Sequence, residues 1–169
     1  MVTVRPEGDN DRRAVHRVQV AAFGRVAEAD LVETLRAQGC ATISLVAEVR
    51  NQVVGHILFS PVTIEDDRSQ WQALGLGPMA VLPEDQRQGI GTALIREGLQ
   101  QCGVRGHEVV VVLGHREYYP RFGFIPASRK GLRCEFPVPD EAFMVVELVE
   151  NALRGRTGSV KYHRAFGEV

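Results

Sequence analysis

Chemistry in this sequence gathers first around Gly89-Ile-Gly91. An extended apolar segment, Leu74 to Leu82, runs up to it, and Pro83 stops the strand and opens a polar turn. After it, Ile90, Leu94, Ile95, Gly98/Leu99 and Cys102 recur at the spacing of one helix face. The pattern is strand, glycine loop, helix start. A helix start carries unpaired N–H groups and a partial positive charge, and glycine lets an anion approach that backbone closely. Phosphate or pyrophosphate suits such a place. The glycines alone leave a second reading open, a strand-to-helix turn that uses them only for geometry.

Two common phosphate folds fit poorly. No lysine follows Gly91, as a nucleotide P-loop needs. A dinucleotide fold wants a third glycine where Leu94 stands, and the turn Pro83 to Gln88 intervenes; Glu108 precedes the next valine run instead of ending it. A better match is Gln86-x-x-Gly89-x-Gly91, which resembles the [Q/R]-x-x-G-x-[G/A] loop of the GCN5-related N-acetyltransferases, the GNAT superfamily.

The elements around the loop agree with that resemblance. Val2 to Arg5 alternates and ends at Pro6, a short first strand. Asp9, Asn10 or Asp11 caps a helix running to about Phe23, and a second helix runs from about Val26 to Ala37, ended by Gly39. Ile43–Val49 and Val53–Ser60 form a hairpin turning at Asn51-Gln52, with an extension past Pro61 to Ile64. Glu65 to Gln70 is a polar loop, and Trp71–Leu82 is the fourth strand. Glu108–Leu113 is a continuous apolar run, a strand parallel to the fourth through a right-handed crossover. Gly114–Gly123 holds one or two helical turns, Phe124-Ile125 starts another strand, residues 127–141 are loop-like, and Ala142–Val149 is the last strand. The final 20 residues are polar, with Tyr162 and Phe166 near the end.

The order β-α-α-β-β-β-α-β-α-β is that of the GNAT fold: α/β, with a mostly antiparallel mixed sheet of about seven strands, a parallel splay between the fourth and fifth, and helices on both faces. A second motif, Tyr118-Tyr-Pro-Arg-Phe-Gly-Phe124, resembles the family's [F/Y]-Y-x-[K/R]-x-G-F segment. Pro78–Gln86, Leu113–Tyr119 and the ending Tyr162-His-Arg-Ala-Phe166 are similar to the bacterial YhbS-like branch of predicted acetyltransferases. The resemblance covers nearly the whole chain, read as a GNAT domain over residues 1–150 and a tail over 151–169 on or near the acceptor site.

The resemblance implies an acetyl-coenzyme A (acetyl-CoA) dependent N-acetyltransferase acting on a primary amine of a small molecule or peptide. Backbone groups of Met79, Ala80 and Val81 would pair with the pantetheine arm like an added strand, since its two amides match a strand edge. Gln86, Arg87, Gln88, Gly89, Ile90, Gly91 and Thr92 would hold the pyrophosphate. Tyr119 matches the position of a tyrosine near the thioester sulfur, where a phenol hydrogen-bonds or protonates the leaving thiolate. His56, His115, Glu28 and Glu65-Asp66-Asp67 are candidates for a general base, His115 foremost because it follows the fifth strand; a relay through water is the alternative. The fourth strand has no carboxylate between Trp71 and Leu82, a departure from the histone-acetylating members. By family analogy, Phe23 to Gly39, residues 127–141 and the tail 155–169 line the acceptor site. A non-catalytic acyl-CoA sensor and a transferase of another acyl group are the competing readings.

Composition sets the bounds. The chain has 169 residues, enough for one domain that needs no staples. With 20 basic and 21 acidic residues its net charge is -1, which gives no footing for nucleic acid. Cys40, Cys102 and Cys134 form no Cys-x-x-Cys pair, so neither a disulfide framework nor a zinc site is expected, and no metal is. No apolar run approaches a membrane span, and the expected location is the cytoplasm. A homodimer, as in many members of the family, is compatible with the composition but not demanded by it.

Overall fold

The computed structural model describes all 169 residues. The chain runs β1 (Val2–Pro6), α1 (Arg12–Phe23), α2 (Ala27–Ala37), β2 (Ile43–Val49), β3 (Gln52–Glu65), β4 (Gln70–Val81), α3 (Ile90–Val104), β5 (Val109–Leu113), β6 (Ile125–Pro126), β7 (Leu132–Cys134), β8 (Phe143–Glu147) and β9 (Gly158–Lys161). Strands neighbour one another in the order β1-β2-β3-β4-β5-β8-β6, and β9 pairs with β3 and β7. The β4–β5 and β7–β9 pairs are parallel, whereas β1–β2, β2–β3, β3–β9, β5–β8 and β6–β8 are antiparallel.

The chain divides into two compact units. The first comprises residues 1–60, 77–101 and 164–169. Its core joins Val15 and Val18 of α1 and Leu31, Val32 and Leu35 of α2 to Val46, Leu58 and Ala80 of the strands. Both helices stop at glycines in the left-handed region, Gly24 (φ 70°) and Gly39 (φ 72°), a conformation that side chains disfavour. The hairpin turn falls on Arg50 and Asn51 (φ 53° and 64°), one residue earlier than the sequence reading placed it. Both central residues have positive φ, as a two-residue turn matched to the strand twist requires.

The second unit comprises residues 61–76 and 102–163. Its core gathers Val62, Ile64, Val109, Val111, Phe143, Val145 and Val160. It carries two short strands absent from the sequence reading, β7 within the expected loop and β9 within the expected polar tail. Each is three or four residues long and pairs in part with the other, so neither shows a run of alternation to read.

Candidate active site

The decisive feature of β4 is where its pairing stops. The parallel ladder with β5 runs from Leu74↔Val110 to Leu76↔Val112, while β4 continues to Val81. The next two residues explain the break. Gly77 has φ 138°, and Pro78 has no N–H to give a neighbour. Beyond them lie Met79, half-buried, and Ala80 and Val81, both buried.

A turn joins this strand end to α3. Leu82 N–H donates to the Val54 carbonyl, Asp85 N–H to Leu82, and the Gln86 side-chain amide to the Val81 carbonyl at 3.0 Å. Gln86 therefore braces the turn with its side chain. Arg87 (φ 64°) and Gly89 (φ 82°) both occupy the left-handed region, and nothing lies within 4 Å of where a Gly89 Cβ would stand. The first bond of α3 is Ala93 N–H to the Gly89 carbonyl at 3.0 Å. That leaves the amides of Ile90, Gly91 and Thr92 as the open donors of the helix start. The Ile90 side chain faces inward, next to Gly55 with Leu94, so only its backbone is available to a ligand. Arg87, Gln88 and Gly89 are exposed, and Gly91 and Thr92 are half-buried.

Tyr119 belongs to the second unit, in a 3₁₀ turn over Tyr119–Phe122. The His115 carbonyl accepts the N–H groups of Tyr118 and Tyr119, and Gly123 closes the turn at φ 94°. A Cβ on Gly114 would stand 2.3 Å from Tyr119 Cε2, so the ring occupies space that only glycine leaves open. Tyr118 and Phe124 meet the ring edge-on, with centroids 5.2 and 5.6 Å away. Tyr119 is 7% exposed, yet its hydroxyl is neither bonded within the protein nor sealed from solvent. Burial, with the neighbouring Tyr118, pushes its pKa up to about 12. Tyr118 is half-buried, packs edge-on against Phe122 and lies under the Arg121 guanidinium at 4.8 Å.

The base candidates fare differently. His56 is fully buried in a polar network that sequence reasoning missed. Gln19 Nε2 donates to its Nδ1 at 2.9 Å, and its Nε2 faces Ser44 Oγ at 2.8 Å. Ser44 donates in turn to Glu7 at 2.6 Å, which Arg36 also binds. Burial, with the Arg36 charge, lowers the His56 pKa to about 3, so the ring is neutral with both nitrogens engaged. It is no proton acceptor for a substrate. Glu28 is held by Arg25 at 2.9 Å, and Asp66 accepts the N–H groups of Arg68 and Ser69. His115 is exposed.

The first unit also contains a cavity of about 330 Å³. Val26, Ala27 and Leu31 of the α2 region and Ala165 form apolar wall, Asp30 and Glu168 contribute carboxylates, and Arg25 and Thr34 add a guanidinium and a hydroxyl. Leu31 and Ala165 pack in the same apolar cluster as Ala80 and Leu82.

A mixed sheet with one parallel pair that ends early, followed by a glycine turn into a helix, defines an acyltransferase architecture. The family model described as "Acetyltransferase (GNAT) domain" matches residues 40–126, and the chain belongs to this family. It is similar to the N-acetyltransferase YhbS of Escherichia coli strain K12, 38% identical over 164 residues, which cover 96% of this chain and 97% of the relative. YjhQ of the same strain is 40% identical over 135 residues, 78% of this chain and 75% of the relative. Among solved structures, YhbS from Escherichia coli in complex with CoA superposes with a TM-score of 0.92 at 37% identity, covering 98% of this chain and 92% of that one. A GNAT acetyltransferase from Brucella melitensis in complex with acetyl-CoA gives 0.81 at 37% identity, covering 98% of each. No helix is long and apolar enough to cross a membrane.

Proposed function

We propose that the protein transfers an acetyl group from acetyl-CoA to a primary amine of a small molecule or peptide, by direct attack within a ternary complex, in the cytoplasm. The observation that carries this reading is the open backbone at the α3 start, set directly after the stretch of β4 that β5 does not pair. The CoA and acetyl-CoA complexes of the two relatives support it.

The amides from Arg87 to Thr92 hold the pyrophosphate, with the helix dipole behind them. The backbone of Met79, Ala80 and Val81 pairs with the pantetheine amides as an added strand. Gln86 acts on the ligand through its backbone, since its side chain already braces Val81.

The amine nitrogen attacks the thioester carbonyl, the C–S bond breaks, and the electron pair leaves on sulfur. Tyr119 donates a hydrogen bond to that sulfur. A phenol near pKa 12 is neutral at every working pH and so always a donor. The ammonium proton of the acceptor leaves through water. His56 is closed to that role, and Glu28 and Asp66 are tied into local bonds.

The acceptor occupies the cavity beside α2 and the C-terminal turn of the 151–169 tail. Two carboxylates, Asp30 and Glu168, beside apolar Val26, Ala27, Leu31 and Ala165 suit an amine with a hydrocarbon body, while the Arg25 charge on the same wall is offset by its pairing with Glu28. The test is a screen of amines, amino acids and peptides for thiol release from acetyl-CoA. Release with cationic amines, and a weaker response after Asp30→Asn, is the expected result. No release with any amine, from a protein that binds acetyl-CoA, contradicts the transferase reading.

A further inference from the structure

Helices α1 and α2, both in the first unit, bring three metal-ligating side chains together. Val15 and Val18 of α1 and Leu31, Val32 and Leu35 of α2 are buried in one core, which fixes the helix pair. His16 follows Val15, and Asp30 and Glu33 flank Leu31 and Val32, one turn apart on the exposed side of α2. His16 Nδ1 stands 3.2 Å from Glu33 Oε1. The Asp30 carboxylate completes a group whose ligand atoms all lie within 4.8 Å of one another. Two carboxylates this close repel, and one histidine offsets at most one of them. An ion pair between His16 and Glu33 thus accounts for two of the three groups and leaves Asp30 facing them with no ion pair of its own.

We propose that His16, Asp30 and Glu33 bind one divalent transition-metal ion, Zn²⁺ first, as a clamp between α1 and α2. A tetrahedral Zn²⁺ with bonds of about 2.0–2.1 Å holds its ligand atoms about 3.3 Å apart, so the spacing of His16 and Glu33 already fits. Asp30 is exposed and closes the remaining distance by side-chain rotation. One imidazole nitrogen with two carboxylates suits Zn²⁺ better than Mg²⁺, which takes oxygen ligands. Three protein ligands leave the fourth position to water. The expectation of no metal rested on cysteine spacing, and this ligand set uses none of the three cysteines. Sequence alone hides it, because the ligands come from two helices and His16 and Glu33 stand 17 residues apart. Asp30 also lines the cavity of this unit, but the metal site stands whatever that cavity binds.

The experiment is calorimetric titration of the untagged, chelator-treated protein with ZnCl₂ and with MgCl₂. Wild type is compared with His16→Ala, Asp30→Asn and Glu33→Gln, and melting curves are taken with and without Zn²⁺. The three side chains are exposed or half-buried, so each variant should fold and melt near the wild type without metal. The wild type should bind one Zn²⁺ per chain, and its melting temperature should rise with Zn²⁺ concentration, as for any ligand of the folded state. Mg²⁺ should do neither. Each variant should bind Zn²⁺ at least ~10-fold more weakly, the scale of losing even an outer partner of a bound metal. A wild type that binds no Zn²⁺ overturns the inference. So does binding that all three variants retain at wild-type strength, which places the ion on the cysteines or on other histidines. An equal response to Mg²⁺ also overturns it, because oxygen ligands alone would then suffice.

Discussion

His56 and Tyr119 are both buried titratable groups, and both are held in their neutral forms. They differ in what their polar atoms are doing. Both nitrogens of His56 are engaged, by Gln19 and Ser44, and the network runs on to Glu7 and Arg36. The Tyr119 ring is packed against Gly114, Tyr118 and Phe124, but its hydroxyl has no partner. Burial alone therefore does not mark a reacting group. A buried group whose hydrogen bonds are complete ties elements together, and one whose hydrogen bond is left open has something to offer a ligand.

The largest expected effect sharpens this contrast at Tyr119. Tyr119→Phe keeps the ring and removes only the donor. Turnover, with the acceptor returned by the amine screen, should fall ~10²–10³-fold, the scale of losing one preorganised donor to a developing anion. Affinity for acetyl-CoA and the melting temperature should stay near those of the wild type. Tyr118→Phe, one residue away and already packed under Arg121, should be nearly silent. Equal losses in the two variants, or a loss confined to Tyr118→Phe, would move the assignment off Tyr119.

At His56 the effect should appear in stability, not chemistry. His56→Ala strands the Gln19 amide in the interior, leaves Ser44 with Glu7 alone and opens a cavity, a cost of roughly 3 kcal/mol. The folded fraction should still bind acetyl-CoA. The same residue predicts a pH dependence. A histidine near 6.5 when unfolded and about 3 when folded binds its proton mainly in the unfolded chain. Its contribution is complete above pH ~6.5 and is lost as pH falls toward 3, with a slope of at most ~1.4 kcal/mol per pH unit. Denaturation midpoints measured between pH 7 and 5 check this before the carboxylates Asp11 and Glu147, whose pKa values are lowered by Arg5 and by the Leu153 N–H, begin to lose their partners. A flat profile over that range would mean that His56 stays charged in the fold.

These two residues also mark what the sequence can reveal. Helix ends were legible because Gly24 and Gly39 supply a backbone conformation that other residues resist. Gly89-Ile-Gly91 was a visible helix start, whereas Gly77-Pro78, where the pairing of β4 with β5 stops, drew no reading from the sequence. Tyr119 was reached through a resemblance to a family motif, since one aromatic in an apolar stretch looks like core. The His56 network could not be read in advance. Glu7 and Arg36 stand 29 residues apart, and Gln19 and His56 stand 37 apart, so only the fold brings them together. The same holds for His16 with Asp30 and Glu33, and for β7 and β9, whose few residues become strands through each other and β3.

If the backbone at the α3 start holds the pyrophosphate of acetyl-CoA, a calorimetric titration of wild type and Gly89→Asp with acetyl-CoA will show it. Nothing crowds a side chain at Gly89, so the substitution costs only the strain of φ 82°, about 1–2 kcal/mol, while it sets a carboxylate among the phosphate-binding amides. The predicted result is a folded variant whose affinity is at least ~100-fold weaker, the scale of about 2.8 kcal/mol of like-charge repulsion and lost contacts. A folded Gly89→Asp protein that binds acetyl-CoA as the wild type does would contradict the claim.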